Sequence, residues 1–283
     1  MRTDGLIECD LCPRHCRIAD GKNGACLVRQ RQGDELIAAS YGIICGLAVD
    51  LIEKKPLYHF LPGSNTLSFG TVGCNLLCGF CQNAHLSRAA QIDGSCVSPQ
   101  VIAEAAIEHG CESVSFTYNE PTVFLEFAVD TAKVCHERGL KTVAVTNGWI
   151  EPEPRKEFYA HLDAANVDLK AFTDRFYQKL CGATLQPALD TLVYIRNETD
   201  VHLEVTTLLI PEWNDSPAEI DAMTKWAVAN LGPDVPWHFS AYRPTREWNE
   251  AQPTPLQSLL DAKSIAEHNG LTHVHLGNVG IAV

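Results

Sequence analysis

The sequence predicts an α/β fold in which parallel strands are joined by crossover helices, and three observations lead to it. From about residue 66 onward, short β-rich runs alternate with amphipathic stretches of helical spacing. Three of those stretches open on a hydroxyl followed by proline, at Ser98-Pro99, Ser216-Pro217 and Thr254-Pro255, the last two adding Glu219 or Gln257 at the third helical position. A chain of 283 residues is also long for two domains yet ordinary for one α/β barrel.

Taken in order, the expected strands are 66–72, 112–118, 141–146, 165–170, 201–210, 236–242 and 272–276. Between the second and third, Val123, Phe124, Phe127, Ala128, Thr131, Val134 and Cys135 recur at helical spacing, so Cys135 is read as a packing residue. Residues 1–63 lack the strand-helix rhythm and hold five cysteines, three of them within eight positions. They are read as a Cys-rich N-terminal segment ahead of a core domain spanning 64–283.

Hydrophobic residues make up 46% of the chain and charged ones 20%, the balance of a globular protein. A formal net charge of −13 argues against a nucleic-acid partner, since phosphate binding rests on clustered Lys and Arg. The N-terminus shows no signal-peptide run, and no uninterrupted apolar stretch reaches the roughly 18 residues needed to span a bilayer. The expectation is therefore a cytoplasmic protein without a membrane partner. Thiols stay reduced there, so twelve cysteines read as metal ligands, redox groups or small core residues before disulfides.

The segment CNLLCGFCQN concentrates this chemistry: Cys74, Cys78 and Cys81 fall within eight positions. A 4Fe-4S cluster normally recruits four thiolates, so three leave one iron open to another ligand. Two other readings compete. Cys78 and Cys81 form a CxxC that a dithiol oxidoreductase also uses, although this leaves Cys74 unexplained. A zinc site needs a fourth ligand, for which His85 is the candidate.

CxxxCxxC with an aromatic residue, Phe80, directly before the third cysteine resembles the signature of the radical S-adenosylmethionine (radical SAM) enzymes. More narrowly, the chain resembles the pyruvate formate-lyase activating-enzyme-like branch and, within it, the radical SAM component of the AmmeMemoRadiSam system. The likeness extends over CxxCPxxC at 9–16, LIEKKPLYHFLPGS at 51–64, TYNEPT, TNG, DLK and HFSAYRP. The resemblance implies a partial (β/α)6 TIM-like barrel. It also implies a cluster held by Cys74, Cys78 and Cys81 whose open iron binds the methionyl group of SAM, and cleavage to a 5′-deoxyadenosyl radical that abstracts hydrogen from substrate. An external electron donor such as flavodoxin or ferredoxin is implied as a partner.

Active sites of parallel barrels gather at the carboxyl ends of strands, and the remaining motifs fall there. The resemblance places Phe80, Tyr118, Asn119, Glu120, Thr146, Asn147, Asp168 and Lys170 against SAM, with Glu120 opposite its amino group. Asp168 and Lys170 alternate along a strand and share a face. His238 and Arg243 are candidate substrate contacts. Related activases carry Asp before TNG where this chain has Val145, which removes one expected cation ligand, and relatives in the AmmeMemoRadiSam group extend past GNV into a Cys-containing tail, whereas this sequence stops at Val283.

Cys9, Cys12, Cys16 and Cys26 suit a closed zinc site or an auxiliary Fe–S cluster, and spacing alone does not choose between them. Cys45, Cys96, Cys111 and Cys181 read as structural. The leading expectation is a radical SAM enzyme acting on a glycine of a partner protein. Against it stand radical modification of a small molecule or another side chain and, from a different class, a CxxC oxidoreductase or a metal-stapled binding module.

Overall fold

Seven strands stand where the sequence predicts them. In the computed structural model, which describes residues 5–279, they are β1 (Asn65–Gly70), β2 (Ser113–Phe116), β3 (Lys141–Thr146), β4 (Ala164–Asp168), β5 (His202–Leu209), β6 (Trp237–Ala241) and β7 (Val274–Gly277). Each is parallel to the next and hydrogen-bonded to it in chain order. The crossovers contain α1 (Pro99–Glu108), α2 (Leu125–Glu137), α3 (Pro152–Tyr159), α4 (Gln186–Glu198), α5 (Pro217–Leu231) and α6 (Leu256–His268). Six strand-helix units followed by a seventh strand accord with the partial barrel expected from the sequence.

Two of the three predicted helix starts are built as expected: Ser98 accepts from the Val101 N–H and Ser216 from the Glu219 N–H. The third differs. Thr254 does not cap α6; its hydroxyl donates to the Leu209 carbonyl at 2.6 Å and accepts from the Tyr242 N–H at 2.8 Å, tying β5 to the end of β6. Its oxygen meets these two strand ends before the helix begins, so Pro255 starts the helix without it.

A further strand went unpredicted. Ile43–Leu51 pairs antiparallel with β1, and Ser95–Cys96 pairs outside it, giving a nine-stranded sheet. The expected segment boundary near residue 63 thus falls between two strands that are hydrogen-bonded to each other. Leu47, Val49 and Leu51 are exposed on this margin, so the run lacks the burial pattern of the core strands. No helix among the described residues is long and apolar enough to cross a membrane.

Alternation along β1 sorts the core into two layers. Phe69 packs against Phe116 of β2 and against Phe124 and Phe127 under the helices, at ring-centroid distances of 5.5, 6.3 and 5.7 Å. Thr66 and Ser68 face the other way, and Thr66 Oγ1 meets Ser115 Oγ at 2.7 Å. Facing residues on β4 to β6 are also polar: Asn166, Glu204 and His238 are buried. Residues 52–64 lie against their amino-terminal halves, with Asn166 donating to the Pro56 carbonyl and the N–H groups of Tyr58 and His59 donating to Glu204. Burial works against charge on Glu204, yet His202, His238 and these two N–H groups hold its carboxyl well below the ordinary range.

Phe127 belongs to the packed layer, and Leu260 on α6 is exposed. Phe127→Ala is expected to lower stability by about 3–5 kcal/mol in denaturant titration. Leu260→Ala is expected to stay within about 0.5 kcal/mol.

Candidate active site at the carboxyl ends of the strands

The loop after β1 has no regular structure of its own between Thr71 and Asn83, so its conformation is imposed by neighbours. At Gly73, φ is +89° and an added Cβ would lie 2.4 Å from the Cys26 carbonyl oxygen, so the close approach of two loops requires glycine there. The π-helical turn Tyr177–Cys181 presents carbonyls to the loop: Leu77 N–H donates to Cys181 O at 2.9 Å and Gly79 N–H to Leu180 O at 3.0 Å. Arg14 clamps the same region, donating to Asn75 O and Gly182 O at 2.8 Å each. Arg88 donates to the Cys78 carbonyl.

Three side-chain amides complete the hold. Asn119 accepts from the Thr71 N–H at 2.9 Å and donates to the Gly73 carbonyl at 2.9 Å. Asn75 donates to the Trp149 carbonyl at 2.7 Å, and its amide oxygen accepts from Asn147 at 2.9 Å. Phe80, itself buried, anchors the far end against Phe176 and Trp248.

So held, Cys74, Cys78 and Cys81 line one cavity of about 290 Å³ at the carboxyl ends of the strands. Phe80, Tyr118, Asn119, Glu120, Thr146, Asn147, Asp168 and Lys170 line it too, which brings together every residue that the sequence placed against SAM. His238 and Arg243 do not reach it. His238 is buried near the amino end of β6 with Nε2 2.6 Å from Glu204, and Arg243 is exposed beyond that strand. Ser240, two residues on from His238, lines the cavity along with Thr206 and Leu208. The period of two along β5 and β6 was the signal that would have pointed to them. Val145 brings a branched hydrocarbon to the wall and offers a cation no oxygen.

The polar groups of the cavity are strongly preorganised. Glu120 Oε1 accepts from the Thr122 N–H at 3.0 Å and from the hydroxyls of Thr122 and Thr146 at 2.7 Å each, while Oε2 accepts from the Asn147 N–H at 2.8 Å. Burial pushes this carboxyl up from its ordinary value and the four donors oppose that push. Lys170 Nζ lies 2.6 Å from Asp168 Oδ2, and although burial disfavours the ammonium, Asp168 and Cys78 hold it charged. The thiols differ in environment. Burial and the Glu120 carboxylate push Cys74 up, whereas a hydrogen bond from the Cys181 thiol and the nearby Lys170 draw Cys78 down despite burial. Cys181, read from the sequence as merely structural, is fully buried beside Cys78 and does not line the cavity.

Several features test the fit of a cluster with a small-molecule ligand. Three thiols converge on a cavity near the lower end of the usual size of ligand sites. Thr206 Oγ1, buried in its wall, has no hydrogen-bond partner. A family model described as the radical SAM superfamily matches residues 69–223.

The chain belongs to the radical SAM superfamily. Membership implies a 4Fe-4S cluster and SAM, and the residues just described suit both. Over 278 residues the chain is 39% identical to an uncharacterized protein of Methanocaldococcus jannaschii, covering 98% of this chain and 82% of that one. Over 163 residues it is 24% identical to the pyruvate formate-lyase-activating enzyme of Clostridium pasteurianum, covering 56% of this chain and 67% of that one. Its fold is similar to a domain of a pyruvate formate-lyase-activating enzyme from Bacteroides vulgatus, with a TM-score of 0.50 at 20% identity over 59% of this radical SAM chain and 99% of the other.

Gly73→Ala tests the geometry of the cysteine loop. Backbone strain of about 1–3 kcal/mol is expected, with a lowered thermal midpoint and loss of bound iron after anaerobic reconstitution. Wild-type iron content and midpoint would show that the loop does not depend on this approach.

Proposed function

We propose that Cys74, Cys78 and Cys81 hold the 4Fe-4S cluster of this radical SAM enzyme, that SAM occupies the adjoining cavity, and that the hydrogen donor is a glycine in a partner protein. The observation that carries the site assignment is the convergence of the three thiols and the Glu120, Asp168 and Lys170 side chains on one cavity. When bound, cluster and SAM supply a 5′-deoxyadenosyl radical by one-electron cleavage, the electron coming from a donor of the flavodoxin or ferredoxin kind.

The protein's own groups bind and orient. Lys170, kept charged by Asp168, is the cation suited to the carboxylate of SAM, a charge-assisted contact. Glu120 offers negative charge to the ammonium group and at the same time fixes the turns after β2 and β3 through its four donors. Thr206 and Ser240 supply hydroxyls on the opposite wall. The Cys181 thiol and Lys170 favour the thiolate form of Cys78 that iron requires. A glycine substrate is supported by the likeness to pyruvate formate-lyase-activating enzyme, the sequence relative of known activity named above.

Anaerobically reconstituted protein is expected to show an iron-dependent visible chromophore and to form 5′-deoxyadenosine from SAM on reduction. Cys78→Ala should abolish that product. Lys170→Met should weaken SAM binding about 10- to 100-fold in equilibrium dialysis. Deuterium passing from a partner protein labelled at glycine into 5′-deoxyadenosine identifies the substrate class; transfer only from a labelled small molecule or from another residue type refutes the glycine assignment.

A further inference from the structure

The cysteine loop has an outer side that the cavity does not use. Leu76, Cys78, Phe80 and Cys81 line the cavity, whereas Leu77, between the first two, does not and is 48% exposed. A single peptide bond separates it from Cys78. One exposed leucine would mean nothing alone. What distinguishes this one is the charge around it.

Arg88 is exposed, and its Nη2 lies 3.5 Å from the Leu77 carbonyl while also donating to the Cys78 carbonyl. Gly182 packs on the same leucine, a Cβ there lying 3.3 Å from Leu77 Cδ1, and its carbonyl accepts from Arg14 at 2.8 Å. Arg14 stands between Cys12 and Cys16 in the N-terminal segment, whose Cys9, Cys12, Cys16 and Cys26 line a small cavity of their own. Lys179, exposed, belongs to the π-helical turn whose Cys181 carbonyl accepts the Leu77 N–H. Both arginines spend these donors on main-chain carbonyls, which leaves their charge uncancelled. The stretches that meet here, 11–19, 54–92 and 175–189, contain no Asp or Glu, in a chain of net charge −13. A basic rim thus surrounds Leu77 on an otherwise acidic protein.

We propose that Leu77, with Arg14, Arg88 and Lys179 around it, is the docking face for a small acidic one-electron carrier, a flavoprotein of the flavodoxin kind. The inference rests on the cluster proposed at Cys78. The carrier loses one electron and the cluster gains it, with no bond made or broken on this face. Charge complementarity selects the partner: three cations attract an acidic carrier and repel a basic one, and such attraction raises the encounter rate more than the lifetime of the complex. A carrier has to leave after each electron, so a small contact held by surface charge suits it. The apolar centre selects flavin, whose ring ends in a hydrocarbon edge, whereas the sulfurs of a ferredoxin cluster take hydrogen bonds. Because Leu77 lies outside the cavity, the carrier does not compete with SAM for space.

The test reads binding, so it does not depend on SAM cleavage. Calorimetric titration of the reconstituted full chain with oxidised flavodoxin should show one carrier bound per chain. Its Kd should rise steeply with salt, since exposed charges are screened beyond about 8 Å at physiological ionic strength. Lys179→Glu should raise the Kd on the order of tenfold, and Leu77→Ser should weaken binding as well. Lys225→Glu on α5, the same change of charge at an exposed site paired with Asp221, should stay within about twofold. Stopped-flow reduction of the cluster by flavodoxin hydroquinone should slow in step with the Kd in Lys179→Glu, while reduction by dithionite is unchanged. An unchanged Kd in Lys179→Glu and Leu77→Ser, or equal losses in Lys179→Glu and Lys225→Glu, overturns the docking face. Tighter binding of a ferredoxin to the same rim overturns the choice of flavin. Dithionite-reduced protein that binds flavodoxin through the rim yet forms no 5′-deoxyadenosine would strike the proposed function and leave the docking face standing.

Discussion

The cysteine loop has no helix or strand to shape it, and everything at the site depends on the amides that do so instead. Asn75, Asn119 and Asn147 bond main-chain groups of the loop and of the turn after β3, Asn119 doing so from the turn after β2. Each amide both donates and accepts, so it bridges two segments at once. The Glu120 carboxylate closes the same network, gathering donors from residues 122, 146 and 147. Because these groups are buried, losing any one leaves another without a partner. The result is a frame that points three thiols into one cavity.

The barrel beneath adds a second constraint. Its helix-facing layer is aromatic and apolar, but the inward residues of β1, β2, β4, β5 and β6 include Thr66, Ser115, Asn166, Glu204 and His238. An interior of this kind needs internal partners. Residues 52–64 provide some of them at the amino end, and the hydroxyl of Thr206 remains without one at the cavity. Packing stability therefore lies on the outside of the sheet and chemical function along its inner face.

The strands were legible because each is a short β-rich run bounded by turn residues, and their order follows from right-handed crossovers. Ile43–Leu51 was not, since its outer residues Leu47 and Val49 face solvent and a bulge at Gly46 breaks its pairing with β1. Tyr118 was legible as a motif residue but not in its backbone: at φ +69° it occupies a conformation that asparagine or glycine more often takes. The contact of Cys181 with Cys78 was invisible, because it joins positions about a hundred residues apart through a π-helical turn with no spacing signature. His238 marked the inward face of β6 correctly but lay too near its amino end to reach the cavity, whereas Ser240 does.

The central claim is that one iron of the cluster on Cys74, Cys78 and Cys81 has no protein sulfur and is met by the methionyl group of SAM. Electron–nuclear double resonance of the reduced protein with SAM labelled at its amino nitrogen and carboxylate measures that contact directly. The account predicts hyperfine coupling from both labels to the cluster. Bound SAM without coupling, or a cluster whose irons all carry side-chain ligands, would contradict it.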